Sequence, residues 1–294
     1  MARHPALEHD RFAPLTAQGA LAFADLVGAA LSEDAAGADI TSLATIDAAT
    51  TAQAQLVVRS EAVVAGLQIA ALAFRTVDPA TDFSAVCEDG ELVRGKTIAR
   101  VRGLARSLLS AERVALNFLG HLSGIATLTH RYVERVAGLP VRISDTRKTT
   151  PGLRALERYA VRAGGGFNHR FGLSDAILIK DNHLAAAGSV TQAIARARST
   201  YPGTIVEVEC ENMAQVEEAV AAQADAILLD NMDMTQLARA VALAQGKALL
   251  EASGGVTLAN VREVALTGVD IISVGALTHS APGADVALDF VVDG

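Results

Sequence analysis

The chain has 294 residues, about half of them apolar, which is enough to bury a full core in one large domain or two unequal ones. A formal net charge of −8, with no basic block anywhere, argues against a duplex-binding surface, so nucleic acid is not an expected partner. The only cysteines, Cys87 and Cys210, stand far apart and outside any CxxC spacing, which excludes a disulfide framework or a structural zinc site and leaves two reduced thiols.

The opening residues MARHPALEHDRF carry His4, Glu8, His9 and Asp10 with no apolar run after them, so no signal peptide is expected. The longest apolar stretch, Ala20 to Leu31, is interrupted by Asp25 and is too short to span a membrane. A cytoplasmic protein without a transmembrane segment is the expectation.

The first third reads as mixed α/β. Apolar residues at helical spacing run from Leu15 to Leu31, GADITS follows, and QAQLVVRS at 53–60 is rich in strand formers. Val64 to Val77 reads as a helix. Phe83 to Cys87 and Thr97 to Val101 read as short strands around the turn at 88–91. Leu108 to Val136 is a long amphipathic helix linking two domains, free of proline and interrupted by Gly120 and Gly124.

After Pro140 a strand-then-helix rhythm sets in. The strands are VRISDTR, DAILIKD, TIVEVEC, DAILLDN, ALLEASG and VDIISVG, and helices are expected at 152–163, 187–199, 213–223, 234–245 and 257–266. Thr257 is the expected N-cap of the last of these. Such a rhythm implies a parallel sheet with right-handed crossovers. Every strand finishes in polar or glycine residues, which favours a barrel, because the C-terminal strand ends of a barrel converge on one mouth. Six strands fall short of the usual eight, so a barrel that is incomplete or closed by another element is expected. The tail ALDFVVD reads as one more strand, returning to the first domain's sheet.

Arg147, Lys148, His169, Arg170 and Lys180 would gather at that mouth, with Glu209 and Asp230 on successive strands opposite. Concentrating cations in one pocket of an acidic chain costs self-repulsion and desolvation unless the ligand is polyanionic. Arginine suits planar carboxylates and lysine suits phosphate. Two neighbouring carboxylates suit Mg2+ shared with phosphate oxygens, pointing to a pyrophosphate leaving group. Ser253-Gly254-Gly255 and Gly275-Ala276 precede helix starts, where backbone N–H groups receive a terminal phosphate. Each residue taken alone also has an ordinary reading: an ion pair for Arg147, Lys180, Glu209 or Asp230, a surface position for His169, a simple turn for Gly254-Gly255. Cys210, beside Glu209, reads as a buried spacer and not a nucleophile.

The segment DTRKTTPGLRALERYAVRAGGGFNHRFGLSDAILIKDNH, from Asp145 to His183, resembles the signature region of quinolinate phosphoribosyltransferases. The likeness extends through VEVECEN, AILLDNM, LEASGGV and SVGALTHS and back to AERVALNFLGHLSGIAT at 111–127, and is weaker in the N-terminal third apart from GADITS. It implies an N-terminal open α/β sandwich, residues 1–117 with 280–294 returning, and a C-terminal incomplete α/β barrel of about seven strands, residues 118–279, holding the active site. It implies quinolinate and phosphoribosyl pyrophosphate as substrates, Mg2+ as cofactor, and a homodimer or a hexamer built from dimers. By the same resemblance Arg147, His169, Arg170 and Lys180 would bind quinolinate, with Arg113 inserted from the neighbouring subunit. Thr146, Lys148, Glu209 and Asp230 would meet phosphoribosyl pyrophosphate, Glu209 and Asp230 also the metal, and Lys148, Glu209 and Asp230 would carry catalysis. Ser253, Gly254, Gly255, Val274, Gly275 and Ala276 would hold the 5′-phosphate. A phosphoribosyltransferase acting on nicotinate, a barrel for another sugar phosphate and a non-catalytic phosphometabolite-binding protein are the alternatives.

Overall fold

The computed structural model describes residues 12–291; the N-terminal segment read for a signal peptide lies outside them up to residue 11. Within this range the chain divides into two compact units, each discontinuous in sequence. The first comprises residues 12–128, 150–165 and 280–291, the second 129–149 and 166–279.

The first unit opens with α1 (Ala17–Ala20), a 3-10 turn, α2 (Ala24–Glu33) and α3 (Ile40–Thr45), so the single helix expected over 15–31 is broken in two. In GADITS, Asp39 caps α3 by accepting the N–H groups of Thr41 and Ser42, each at 3.1 Å. Next come β1 (Thr51–Val63), α4 (Leu67–Val77), β2 (Asp82–Ala85), β3 (Leu92–Leu104), α5 (Ala105–Arg135), α6 (Arg154–Ala163) and, after the second unit, β10 (Val286–Val291). The sheet order is β10-β1-β3-β2, antiparallel throughout. The tail therefore does return to this sheet, as the ALDFVVD run suggested. Two of its strands are far longer than expected, because the exposed polar residues at their ends, such as Arg59, Glu61 and Arg94, hide the alternation that marks a strand.

Leu56, Val58, Ile98, Phe74 and Leu108 form the buried core of this unit, each side chain contributing about 1.5–3 kcal/mol on transfer from water. α4 is capped at its start by Gly66, whose φ of +101° is open to glycine at little cost. Asp89 accepts the N–H groups of Gly66 and Leu67 at 2.9 and 3.2 Å and the Tyr159 hydroxyl at 2.6 Å, placing a buried carboxylate on the helix's positive end.

The second unit contains β4 (Arg142–Ser144), β5 (Ile177–Ile179), α7 (Asp181–Ala187), α8 (Val190–Thr200), β6 (Val206–Cys210), α9 (Met213–Ala221), β7 (Ala226–Asp230), α10 (Met234–Ala244), β8 (Leu249–Ser253), α11 (Val261–Leu266), β9 (Ile271–Ser273) and α12 (Ala276–His279). Its sheet is parallel in every pairing, with strand order β4-β9-β8-β7-β6-β5. A single parallel bridge from Ser144 to Phe167 adds a seventh position beside β4. This is the incomplete α/β barrel that the strand-then-helix rhythm implied. The helix expected over 187–199 is α8, starting at Val190, and α7 is an additional helix ahead of it, ending before Gly188 with φ +100°. No helix among the described residues is long and apolar enough to cross a membrane.

Candidate active site

Side chains on a strand alternate between faces, and one face of each barrel strand lines the same cavity of about 580 Å³. Leu178 and Lys180 come from the β5 end, Glu209 from β6, Leu228 and Asp230 from β7, Glu251 and Ser253 from β8, Ser273 and Gly275 from β9. The intervening residues, Val206, Val208, Ile227, Leu229 and Ile272 among them, are buried on the other face. Thr146, Arg147 and Lys148 after β4, and His169 and Arg170 after the Phe167 bridge, complete the wall. Gly254, Gly255, Val274 and Ala276 are there too. Of the residues singled out in the sequence, only Arg113 does not line this cavity: it is exposed on α5.

Asp145 is fully buried and fixes the segment that carries two of the cations. It accepts the N–H of His169 at 2.8 Å and the side-chain amide of Asn168 at 2.5 Å. His169 is itself buried rather than a surface histidine. Its Nε2 lies 3.1 Å from Glu207 and 3.4 Å from Glu251, both nearly inaccessible. Burial alone would disfavour the charged ring, but Glu251 and Glu207 outweigh it and raise the pKa above the usual 6.5. The Arg170 N–H donates to Nδ1 at 2.7 Å. This fixes the proton of the neutral ring on Nε2. His169, Glu207 and Glu251 bring three ligand-type atoms close together, and the two carboxylates that raise the ring's pKa make the trio a buried cluster able to share a proton.

Arg170 donates from Nη1 to the Ala176 carbonyl at 3.1 Å, and burial followed by the like charge of Arg147 lowers its pKa. No carboxylate pairs with Arg147 among the described residues, and its buried Nε has no hydrogen-bond partner. Lys180 differs from expectation. Rather than standing ready as a free cation, its Nζ is paired with Glu209, because both side chains face the same cavity from adjoining strands. The net positive charge of the wall therefore rests on Arg147, Lys148 and Arg170.

Glu209 pairs in register with Leu228, which puts Asp230 two residues farther along the neighbouring strand on the same face. Asp230 accepts the Asn231 amide at 2.8 Å. On the far wall, Gly254 and Gly255 have φ of +88° and +63°. Thr257 is not the cap of α11: it begins a turn whose carbonyl accepts the Val261 N–H at 2.9 Å, and the helix starts after Asn260. Asn260 stiffens this loop, accepting the Thr257 N–H at 2.7 Å and donating to the Gly255 carbonyl at 3.1 Å. A β-carbon on Gly275 would lie 3.0 Å from Cδ of Lys148, so glycine keeps the lysine stem close to the second turn. Cys210 is buried and its thiol is pushed up to about 12 by burial and the nearby Glu209, which suits a packing residue.

Glu207, Glu251 and Asn231 are site residues that sequence reasoning passed over. A signal existed for the first: in VEVEC the two-residue period places Glu207 on the same face as Glu209.

Comparison with known proteins agrees with this geometry. Residues 125–289 match the family described as quinolinate phosphoribosyl transferase, C-terminal domain, and residues 39–123 its N-terminal domain. A probable carboxylating nicotinate-nucleotide pyrophosphorylase of Synechocystis is 47% identical over 244 residues, 81% of this chain and 83% of that one. The carboxylating nicotinate-nucleotide pyrophosphorylase of Mycobacterium leprae is 45% identical over 272 residues, 90% and 96% of the two chains. The crystal structure of NadC from Streptococcus pyogenes superposes with a TM-score of 0.88 at 42% identity, covering 92% of this chain and 98% of that one. With both domain descriptions matched and close relatives over most of its length, the chain belongs to the quinolinate phosphoribosyltransferase family.

Proposed function

We infer that the protein is a decarboxylating quinolinate phosphoribosyltransferase, converting quinolinate and phosphoribosyl pyrophosphate to nicotinate mononucleotide, pyrophosphate and CO2 in NAD biosynthesis. The observation that carries this reading is the Arg147 guanidinium, buried at Nε without a partner and set beside Arg170 in a cavity that also holds Lys148. A half-buried Arg147 guanidinium with no carboxylate beside it among the described residues is costly without an anion, and a pyridine dicarboxylate supplies two charges in a plane that an arginine fork can match.

Arg147, Arg170 and His169 would orient the ring, and Lys180 would join them through an ion pair it shares with Glu209. Lys148, at the foot of the Gly275 turn, and Thr146 would meet phosphoribosyl pyrophosphate, whose 5′-phosphate would rest on the Ser253-Gly254-Gly255 and Val274-Gly275-Ala276 turns. Glu209 and Asp230 face the cavity with oxygens suited to a hard cation, and would hold Mg2+ together with substrate oxygens and water. That ion, when bound, offsets the negative charge of the leaving pyrophosphate. Departure of pyrophosphate builds positive charge at the anomeric carbon, which the Glu209 carboxylate stabilises while Lys148 steadies the leaving oxygens. The pyridine nitrogen bonds to the anomeric carbon as the bond from that carbon to pyrophosphate breaks; its positive charge then stabilises the electron pair left on the adjacent ring carbon when the carboxylate leaves as CO2, and a proton from water completes that carbon. The residues need only hold the ring and leave that carboxylate lightly bound.

Two copies would form the working unit, singly or in a hexamer of dimers, with exposed Arg113 completing the neighbour's quinolinate site, and the enzyme would work in the cytoplasm. The test is an assay of purified protein with quinolinate, phosphoribosyl pyrophosphate and Mg2+, following CO2 and nicotinate mononucleotide. Turnover of nicotinate without CO2 would instead establish the single-carboxylate reaction.

A further inference from the structure

Asn231 follows Asp230 at the end of β7 and has φ +53°, a left-handed backbone that non-glycine residues seldom adopt and keep only where surroundings enforce it. An extended residue here would continue the strand and carry its side chain to the face opposite Asp230. The left-handed turn instead folds the amide back, and Nδ2 donates to Asp230 Oδ2 at 2.8 Å. The backbone N–H of Asn231 donates to the Ser253 carbonyl at 2.9 Å, tying the end of β7 to the end of β8. The rest of the amide presses on the next turn: a β-carbon on Gly254 would sit 2.6 Å from Asn231 Cγ. One side chain thus touches both Asp230 and the Gly254 turn, and all three line the same cavity.

We propose that Asn231 is a positioning residue that holds the Asp230 carboxylate and the Gly254-Gly255 turn in fixed relation, and so sets affinity for phosphoribosyl pyrophosphate. The inference rests on the reading given under Proposed function, in which these two elements meet opposite ends of that one substrate. On that same reading quinolinate is held by Arg147 and Arg170, whereas the hydrogen bonds of Asn231 go to Asp230 and Ser253.

Two variants test it. Asn231→Asp keeps the shape and tolerates the left-handed backbone, but replaces the donor with a second carboxylate against Asp230. Asn231→Gly adopts the same φ without strain and removes the amide, so it keeps the fold even if the first variant does not. Loss of a charge-assisted hydrogen bond corresponds to a rise of about tenfold or more in KM for phosphoribosyl pyrophosphate in both, with KM for quinolinate within about twofold and a higher Mg2+ requirement. A KM for phosphoribosyl pyrophosphate within about twofold of the parent in the folded variants, or equal losses for both substrates, would overturn the proposal. If the parent protein shows no turnover, the assigned reaction fails. Calorimetric binding of phosphoribosyl pyrophosphate to parent and variants then decides the role of Asn231 on its own: equal affinities, or none for the parent, would refute it.

Discussion

His169 Nε2 stands 3.4 Å from Glu251 Oε2, inside the barrel and away from bulk water. Burial lowers the basicity of the ring, and Glu251 is the largest influence raising it again. Removing that charge in Glu251→Gln lowers the imidazole pKa. The charged ring that favours a dianion is then lost at a lower pH than in the parent, so quinolinate affinity should fall between pH 6 and 9 more steeply in the variant. Calorimetric titration of quinolinate across that range reads the difference. Parallel pH profiles would mean that the carboxylate does not govern the charge on His169. The same sign holds for stability: the parent's gain from the charged ring is complete below the ordinary 6.5 and is lost as pH rises through the raised value.

Arg147→Ala should weaken quinolinate binding by about 1.5–3 kcal/mol, the range for hydrogen bonds to charged groups, and leave phosphoribosyl pyrophosphate binding within a few-fold. Arg147 is the cleaner choice for this test, since the Arg170 guanidinium also supports the Ala176 carbonyl, and its removal would loosen the loop as well as the site. Separate titrations of the two substrates are the measurement. Equal losses for both would displace Arg147 from the dicarboxylate site.

The strand ends were legible from sequence because polar or glycine residues stand at the C-terminal ends of successive strands, Glu209 in β6, Asp230 closing β7 and Ser253-Gly254-Gly255 closing β8, and in a barrel those ends converge on one mouth. Which cations stay unpaired was not legible. Lys180 and Glu209 are 29 positions apart and meet only because β5 and β6 are neighbours. Glu251 lies in ALLEASG among apolar residues, with nothing in its spacing to announce that its carboxylate would meet a histidine from a loop 82 positions earlier. The left-handed Asn231 was hidden for a related reason: DN after an apolar run marks a turn, but the partner that demands its conformation is Gly254 on the next strand.

Glu157 on α6 offers a second pH dependence of opposite sign. Its side chain is fully buried; burial would raise its pKa, but hydrogen bonds from His121 at 2.9 Å and from Thr150 at 3.0 Å outweigh it, and the pKa is lowered from 4.5. A carboxylate with a lowered value contributes stability that is present above its ordinary pKa and lost as pH falls through the lowered one. Glu157→Gln should cost about 1–3 kcal/mol at pH 7, and the gap between parent and variant should narrow below pH 4.5. Denaturant titrations at pH 7 and pH 3.5 measure it, and a gap that stays constant would remove the ionised carboxylate from the account.

Gly124 lies within α5, where replacing glycine by alanine ordinarily stabilises a helix by roughly 0.5–1 kcal/mol. Here the sign should reverse. The segment leading to β10 crosses α5 at this point: Ala284 N–H donates to the Gly120 carbonyl at 2.8 Å, and a β-carbon on Gly124 would collide with the Pro282 carbonyl and come within 3.1 Å of Gly283 Cα. Both obstacles are backbone, which cannot swing aside as a side chain would, and overpacking of this kind costs about 1–3 kcal/mol. Gly124→Ala should therefore lower Tm by at least about 2 °C. Gly28 in α2 is the control, because a β-carbon there meets nothing within 4 Å, and Gly28→Ala should leave Tm unchanged or raise it. Scanning calorimetry of the two variants side by side separates crowding from helix propensity: if both rise together, the crossing segment yields to the added methyl and propensity alone sets the outcome.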